Sequence, residues 1–133
     1  MSHNRCSIQV SPLQAGGIGI LLYGQMAHIG AGAKSDNAKL GQWTWTCHQG
    51  KQGTHLWCVS LYRPCPRNAG VSTVAAQHQQ YLQTIINDRE PCTAFLEDFE
   101  VKLGEWLAMG DHVIVGGNLN QNVLDPEVCA IFK

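Results

Sequence analysis

The chain has 133 residues, of which 44% are hydrophobic and 14% charged, with a formal net charge of −1. This length allows one domain with a hydrophobic core but not two. Such a low fraction of charged residues indicates that most residues are buried, or that the chain is part of a larger domain. The nine Lys and Arg residues do not form the clustered basic patch usual in nucleic-acid-binding domains. The longest apolar run, residues 18–23, is too short to cross a membrane, so we expect no membrane partner.

Six cysteines are scattered along the chain, and the N-terminus lacks the apolar segment of a secretory signal peptide. An even number of cysteines could form disulfides in a secreted protein. Without a signal peptide we expect reduced, mostly buried thiols instead. This predicts an intracellular protein of the cytoplasm or nucleus.

The first third of the chain predicts a lead-in followed by two short strands. Residues 1–15 are mixed and polar, and we expect them to be poorly ordered. Apolar residues predict one strand at 18–23 and a second at 26–29, separated by a turn. Residues 30–37 are rich in glycine and alanine, which is typical of a flexible loop.

The middle of the chain predicts an antiparallel hairpin. Residues 42–47 are aromatic and β-branched, as is typical of a strand. Residues 48–53 have the composition of a turn, and residues 54–62 predict the second strand. Strand alternation would place three apolar residues of that second strand on one face: Trp57, Val59 and Leu61.

Two helices are predicted next. The first spans residues 74–86, and Ser72 or Thr73 could cap it. Its apolar stripe would leave His78 facing away. The second helix begins at Pro91, which suits a first turn, and stops at a glycine. Its stripe recurs at spacings of three and four: Phe95, Leu96, Phe99, Leu103, Trp106 and Leu107.

A last strand is predicted at residues 113–115, and the tail at residues 124–133 shows little pattern beyond a turn at 125–127. The predicted order of elements, four strands followed by two helices and one further strand, indicates an α/β fold of the α+β type. We therefore expect a mixed, mostly antiparallel sheet packed by helices.

Polar side chains stand at the ends of two predicted strands. Tyr62 and Arg63 end one strand before Pro64, and Asn118 and Asn120 follow the other. Open α/β sheets place their ligands at the carboxyl ends of strands. We therefore expect Tyr62 and Asn120 to lie near each other at one edge of the sheet.

These motifs, in order, resemble the endonuclease/exonuclease/phosphatase family in its retroelement-associated form. The supporting segments are Gly16-Gly17-Ile18-Gly19-Ile20, Leu40-Gly41-Gln42-Trp43, Tyr62-Arg63-Pro64, Phe95-Leu96-Glu97-Asp98-Phe99, Gly110-Asp111 and Gly117-Asn118-Leu119-Asn120. The resemblance covers roughly residues 16–123 and implies the central part of such a domain, within a four-layer α/β sandwich. It also implies a hydrolase, a Mg²⁺-dependent nuclease that cleaves phosphodiester bonds of DNA.

The resemblance also implies roles for individual residues. It gives Tyr62, Asn118 and Asn120 catalytic positions, with Tyr62 close to the scissile phosphate and Asn120 in contact with it. The basic residues just past the tyrosine, Arg63 and Arg67, are candidate phosphate ligands.

One departure from the family bears on activity. Asn118 stands where the family has an aspartate that orients or deprotonates water, and an amide cannot accept a proton at neutral pH. Mg²⁺ prefers carboxylate ligands. The family's early Glu and late Asp-His pair have no counterpart in the matched segment. The chain is therefore interpreted as a partial or degenerate nuclease domain that is itself inactive.

Structural alternatives remain open for each of these residues. Tyr62 could hydrogen-bond a loop, Asn118 and Asn120 could be turn residues, and the arginines could belong to a solvated loop. Asp111 could cap the entry to the last strand. Glu97 and Asp98 fit the outer face of a helix.

Two further hypotheses concern ligands and partners. A zinc site could in principle form around the hairpin, but the absence of a C-x-x-C motif disfavours it. Its candidate ligands are Cys47, His48, His55, Cys58 and Cys65. The alternative function is a catalytically inactive remnant that binds nucleic acid weakly or has only a structural role. Exposed sheet edges also predict self-association.

Overall fold

The computed structural model describes residues 2–3, 17–36, 40–65 and 73–132, and these residues form a mixed four-stranded sheet and four helices. The predicted α+β class is confirmed. The strands are β1 (Ser2–His3), β2 (Gly17–Ile18), β3 (Gly30–Ser35), β4 (Trp43–Gln49), β5 (His55–Tyr62) and β6 (His112–Asn118). The helices are α1 (Gln25–His28), α2 (Val74–Thr84), α3 (Pro91–Ala108) and α4 (Pro126–Ile131), with a 3-10 turn at Lys51–Gly53.

The main sheet has the strand order β3-β4-β5-β6. Strands β3, β4 and β5 pair antiparallel, which confirms the predicted hairpin. Strand β6 returns parallel to β5. A parallel return needs a long crossover, and helices α2 and α3 lie in that connection. Strands β1 and β2 form a separate antiparallel pair.

Helix α3 covers one face of this sheet and forms the core with it. Its side chains Phe95, Phe99 and Trp106 are almost completely buried. Trp106 stacks on Trp57, with ring centroids 5.1 Å apart, and meets Trp45 edge-on at 5.5 Å. The buried stripe confirms the predicted spacing with one exception, because Leu107 is 55% exposed. Its neighbour Trp106 already occupies the space against the sheet.

Both long helices begin with capping side chains; the cap of α2 and the position of Pro91 were expected from sequence, whereas the cap of α3 was not. The Thr73 hydroxyl accepts a hydrogen bond from the Ala76 amide at the start of α2. At the start of α3, the Glu90 carboxylate accepts from the Cys92 and Thr93 amides, and Pro91 follows at the first helical position. These side chains satisfy backbone donors that a helix leaves without partners.

The N-terminal third differs from the prediction. The predicted strand at 18–23 is reduced to Gly17–Ile18, and the predicted strand at 26–29 is instead helix α1. The predicted loop at 30–37 contains strand β3. Strand β3 is built from small residues and lies at the sheet edge, where backbone pairing with β4 forms it without side-chain packing. The glycine- and alanine-rich composition of this segment therefore led to the wrong prediction of a loop.

The tail also differs from the prediction. Residues 126–131 form helix α4, with Pro126 at its first turn and Val128 only 1% exposed. Phe132 contacts Phe99, with ring centroids 6.4 Å apart. The segment is too short for its periodicity to be recognised from sequence, but packing against α3 holds it.

We expect the chain to self-associate through β6, which is an edge strand of the described sheet. Ile114 is 59% exposed on this strand and carries no charged neighbour that would discourage pairing. Replacing Ile114 with Lys should increase the monomer fraction, as measured by size-exclusion chromatography with light scattering over a concentration series.

The matched control is Leu21→Lys, since Leu21 is 87% exposed but lies outside the strands. It should leave the monomer fraction unchanged. A wild-type protein that stays monomeric at all concentrations would contradict the expectation.

Candidate functional site

The ends of β5 and β6 lie side by side, as the sequence pattern predicts. Tyr62 pairs with Asn118 in the parallel register. The Arg63 amide donates to the Asn118 carbonyl at 2.9 Å, and the Asn120 side-chain amide donates to the Arg63 carbonyl at 2.6 Å. The segments that carry Tyr62 and Asn120 are therefore joined directly at one edge of the sheet. Their catalytic roles stay predictions.

Gly117 sets how closely these two strand ends approach. A Cβ atom at this position would clash with the backbone carbonyl of Leu61, whereas one at Gly116 would meet nothing within 4 Å. Only glycine allows the observed approach, because backbone atoms cannot move aside as a flexible side chain can.

Gly117→Ala should therefore lower the free energy of unfolding by about 1–3 kcal/mol, which is typical of overpacking. Gly116→Ala is the matched control and should change stability by less than about 1 kcal/mol. Urea denaturation followed by tryptophan fluorescence measures both. Equal effects of the two substitutions would show that the contact with Leu61 is unimportant.

Asn118 and Asn120 form a turn in this structure. The Asn118 side-chain oxygen accepts from the Asn120 amide at 2.8 Å, and Asn120 has a left-handed φ of 49°. Asparagine tolerates this conformation better than most residues. The geometry matches the turn interpretation, and the Asn118 carboxamide is engaged with its own backbone.

Tyr62 is half-buried and is held through its backbone. Its amide donates to the Gln42 carbonyl at 2.8 Å, which brings the Leu40-Gly41-Gln42-Trp43 motif beside the strand end. Within the part of the chain that the structure describes, no hydrogen bond involves the Tyr62 hydroxyl.

Arg63 is buried rather than presented to solvent. It is 5% exposed, and its guanidinium donates from Nε to the Cys92 carbonyl and from Nη1 to the Leu119 carbonyl. These contacts tie β5 to the start of α3 and to the segment after β6. They give Arg63 a structural role, and its phosphate-binding role stays a prediction. Arg67 lies outside the described residues.

Sequence reasoning missed the carboxylate of Asp36. It accepts hydrogen bonds from the amides of Leu40, Gly41 and Gln42 at 2.7, 3.1 and 3.2 Å. Burial raises the pKa of Asp36, and these hydrogen bonds oppose the rise. Asp36 thus organises the motif that holds Tyr62. The available signal was an aspartate a few residues before Leu40-Gly41.

His78 was expected to face away from the core but is 1% exposed. Its Nδ1 lies 3.3 Å from the Gln42 side-chain nitrogen, which joins α2 to the same motif. Burial lowers the pKa of His78 to about 4. The histidine is therefore held neutral as part of the fold.

This lowered pKa predicts acid sensitivity. Between about pH 6.5 and pH 4 the unfolded chain takes up a proton that folded His78 excludes. The stability contribution is thus complete above pH 6.5 and is lost as the pH falls towards 4, by up to about 3 kcal/mol. His78→Gln should reduce the loss of unfolding free energy between pH 7 and pH 5, measured by urea denaturation.

His112→Gln is the control for this experiment, because His112 is exposed on β6. It should keep the wild-type pH dependence. If His78→Gln also keeps that dependence, other groups cause the acid sensitivity.

Asp111 lies at the opposite end of β5 and β6 from Tyr62. Its carboxylate accepts from the Trp57 indole at 2.8 Å and from the His55 amide at 2.9 Å, and it lies 3.3 Å from His55 Nδ1. The hydrogen bond from Trp57 is the main reason that the pKa of Asp111 is lowered. Asp111 thus binds at the start of β6, as the capping alternative suggested, and it also fixes the Trp57 indole against α3.

The described residues contain no group of three or more His, Cys, Asp or Glu side chains that could hold a metal ion. Of the two histidines in the hypothetical zinc set, His48 is buried with its Nε2 3.0 Å from Thr46 Oγ1, and His55 lies 3.3 Å from the Asp111 carboxylate. Glu97 and Asp98 bind Arg89 on the exposed side of α3. The cysteines in the described ranges are free. Among the helices in these ranges, none is long and apolar enough to span a membrane.

No protein-family model matches this chain, and neither a curated protein nor a solved structure matches it significantly.

Proposed function

We propose that this chain is a degenerate phosphodiesterase domain of the endonuclease type, derived from a retroelement and directed at DNA. The observation that carries the proposal is the joined pair of strand ends, in which the Tyr62 and Asn120 segments share one sheet edge. Phosphodiester hydrolysis needs several polar groups around one phosphate, and this edge brings together a tyrosine and an asparagine. The expected intracellular location belongs to the same proposal.

The chemistry at this edge supports a non-catalytic role over hydrolysis. A Mg²⁺ ion would polarise the phosphoryl oxygen and neutralise developing charge. Within the described ranges, the predicted site residues Tyr62, Asn118 and Asn120 offer neutral amide and hydroxyl groups for it, whereas hard cations prefer carboxylates. The Asn118 side-chain oxygen already accepts from the Asn120 amide, and a carboxamide cannot take a proton from water at neutral pH. The alternative of an inactive remnant that binds nucleic acid weakly fits these contacts.

We expect no robust Mg²⁺-dependent nicking of supercoiled plasmid. Loss of a proton-accepting carboxylate alone typically costs about a hundredfold to ten-thousandfold in rate. Asn118→Asp should not restore nicking by itself, because the metal would still lack further carboxylate ligands. Nicking at the rate of an intact nuclease, by the wild type or by this variant, would contradict the expectation.

A DNA-binding measurement on the same protein samples distinguishes a remnant that binds DNA weakly from one with only a structural role. Fluorescence polarisation with labelled duplex DNA should show affinity that falls steeply with salt, since phosphate contacts release counterions. Arg67→Ala should weaken this binding, whereas Lys34→Ala on the exposed edge strand β3 is the control. An absence of binding at low salt would leave only a structural role for the domain.

A further inference from the structure

A cleft of about 320 Å³ lies between α2 and α3, next to the sheet. The indoles of Trp43 and Trp45 line it from β4, and Leu82 and Ile85 line it from α2. Clefts of this size with aromatic and apolar walls and a few polar groups are the usual form of small-molecule sites. The site at the ends of β5 and β6 does not use this cleft.

Two apolar side chains at the cleft are left open to solvent. Ile85 is 50% exposed on α2 and Val101 is 66% exposed on α3. They face the same space as the two buried indoles, so the apolar surface continues from the interior to the opening. A ligand with an apolar body would cover this surface and gain free energy from its removal from water.

The charges that line the cleft favour a cation. Three carboxylates, those of Asp36, Asp98 and Glu105, line it together with two basic groups, Arg89 and Lys102. Arg89 is held by Asp98 and additionally by Glu97, both at 2.8 Å. Lys102 is held by Glu105 at 2.5 Å. Among the described residues that line the cleft, both basic groups are already paired, and the carboxylate left without a basic partner is that of Asp36, which accepts from three backbone amides.

A cation already rests on the aromatic surface of this region. The Lys102 ammonium lies 5.6 Å from the Trp45 ring centroid and 5.4 Å from the Trp106 ring centroid. Both distances are within the range of about 6 Å at which an indole attracts a cation. The combination of indole faces and a nearby carboxylate is the chemistry that holds ammonium ligands.

We propose that this cleft binds a small organic cation, an ammonium group carried on an apolar or aromatic body. The body packs on Trp43, Leu82 and Val101, and the ammonium lies beside the carboxylates that line the cleft. This inference is independent of the proposed function, because it uses none of the groups at the ends of β5 and β6.

The test compares three probes with one ring and different charges: phenylethylammonium, phenylethanol and phenylpropanoate. Indole N–H resonances in ¹H–¹⁵N spectra of the full chain report binding. Trp43 and Trp45 should shift saturably with phenylethylammonium. Trp57, whose indole is bound to Asp111, is the internal control. The ammonium should bind at least about tenfold more tightly than the carboxylate, a difference of about 1.4 kcal/mol.

A matched pair of variants locates the site. Val101→Trp fills the opening and should weaken phenylethylammonium binding at least about tenfold, or about 1.4 kcal/mol. Leu107→Trp places the same bulk at an exposed apolar position of the same helix outside the cleft and should change nothing. Thermal unfolding of both variants verifies that they fold.

Three results would overturn the proposal. The first is no shift of Trp43 or Trp45 with any probe at millimolar concentration. The second is equal or tighter binding of phenylpropanoate. The third is binding by the folded Val101→Trp variant that is as tight as that of the wild type. None of these results bears on DNA binding, which is measured separately.

Discussion

The packing of one aromatic stripe against three tryptophans holds this fold together. Phe95, Phe99 and Trp106 on α3 meet the indoles of Trp43, Trp45 and Trp57 across the face of the sheet. Truncation of one such buried aromatic side chain typically costs about 3–5 kcal/mol, a large part of the stability of a domain of this size. The position of α3 therefore fixes both ends of the sheet.

The two ends of β5 and β6 depend on that packing in different ways. At the start of the strands, Asp111 binds the Trp57 indole and so extends the aromatic cluster into a hydrogen bond. At the other end, buried Arg63 binds the Cys92 carbonyl in the first turn of α3. A buried guanidinium needs acceptors for its donors, and carbonyl oxygens supply them. The edge that carries Tyr62 is thus positioned by the helix as well as by the sheet.

Sequence patterns predict this fold where side-chain packing decides it. The stripe of α3 and the alternation of β5 are strong periodic signals, and Thr73 and Pro91 mark the starts of the two long helices. Strand β3 is different, because backbone pairing with β4 decides its state and its small side chains carry no signal. Helix α1 and the residues before it were also predicted wrongly, because their apolar side chains suggested burial. Apolar Leu21 and Tyr23, which suggested a buried strand, are 87% and 83% exposed.

The site was predicted in position but not in contacts. Sequence placed Tyr62, Asn118 and Asn120 at strand ends, and parallel pairing of β5 with β6 brings those ends together. It could not show that Arg63 is buried, because an arginine after a strand end is normally solvated. Nor could it show that Asp36 and His78 support the Gln42 motif, since these contacts join residues far apart in sequence or depend on loop geometry.

The amide at position 118 limits what this strand end can do chemically. A carboxylate at position 118 would carry a charge that a metal or a water molecule could use. Asn118 keeps the acceptor oxygen but not the charge, and that oxygen bonds the Asn120 amide two residues on. Asn120 in turn donates to the Arg63 carbonyl. Both asparagine side chains are therefore bonded within the joined strand ends, where they hold the turn and tie it to the residue after β5.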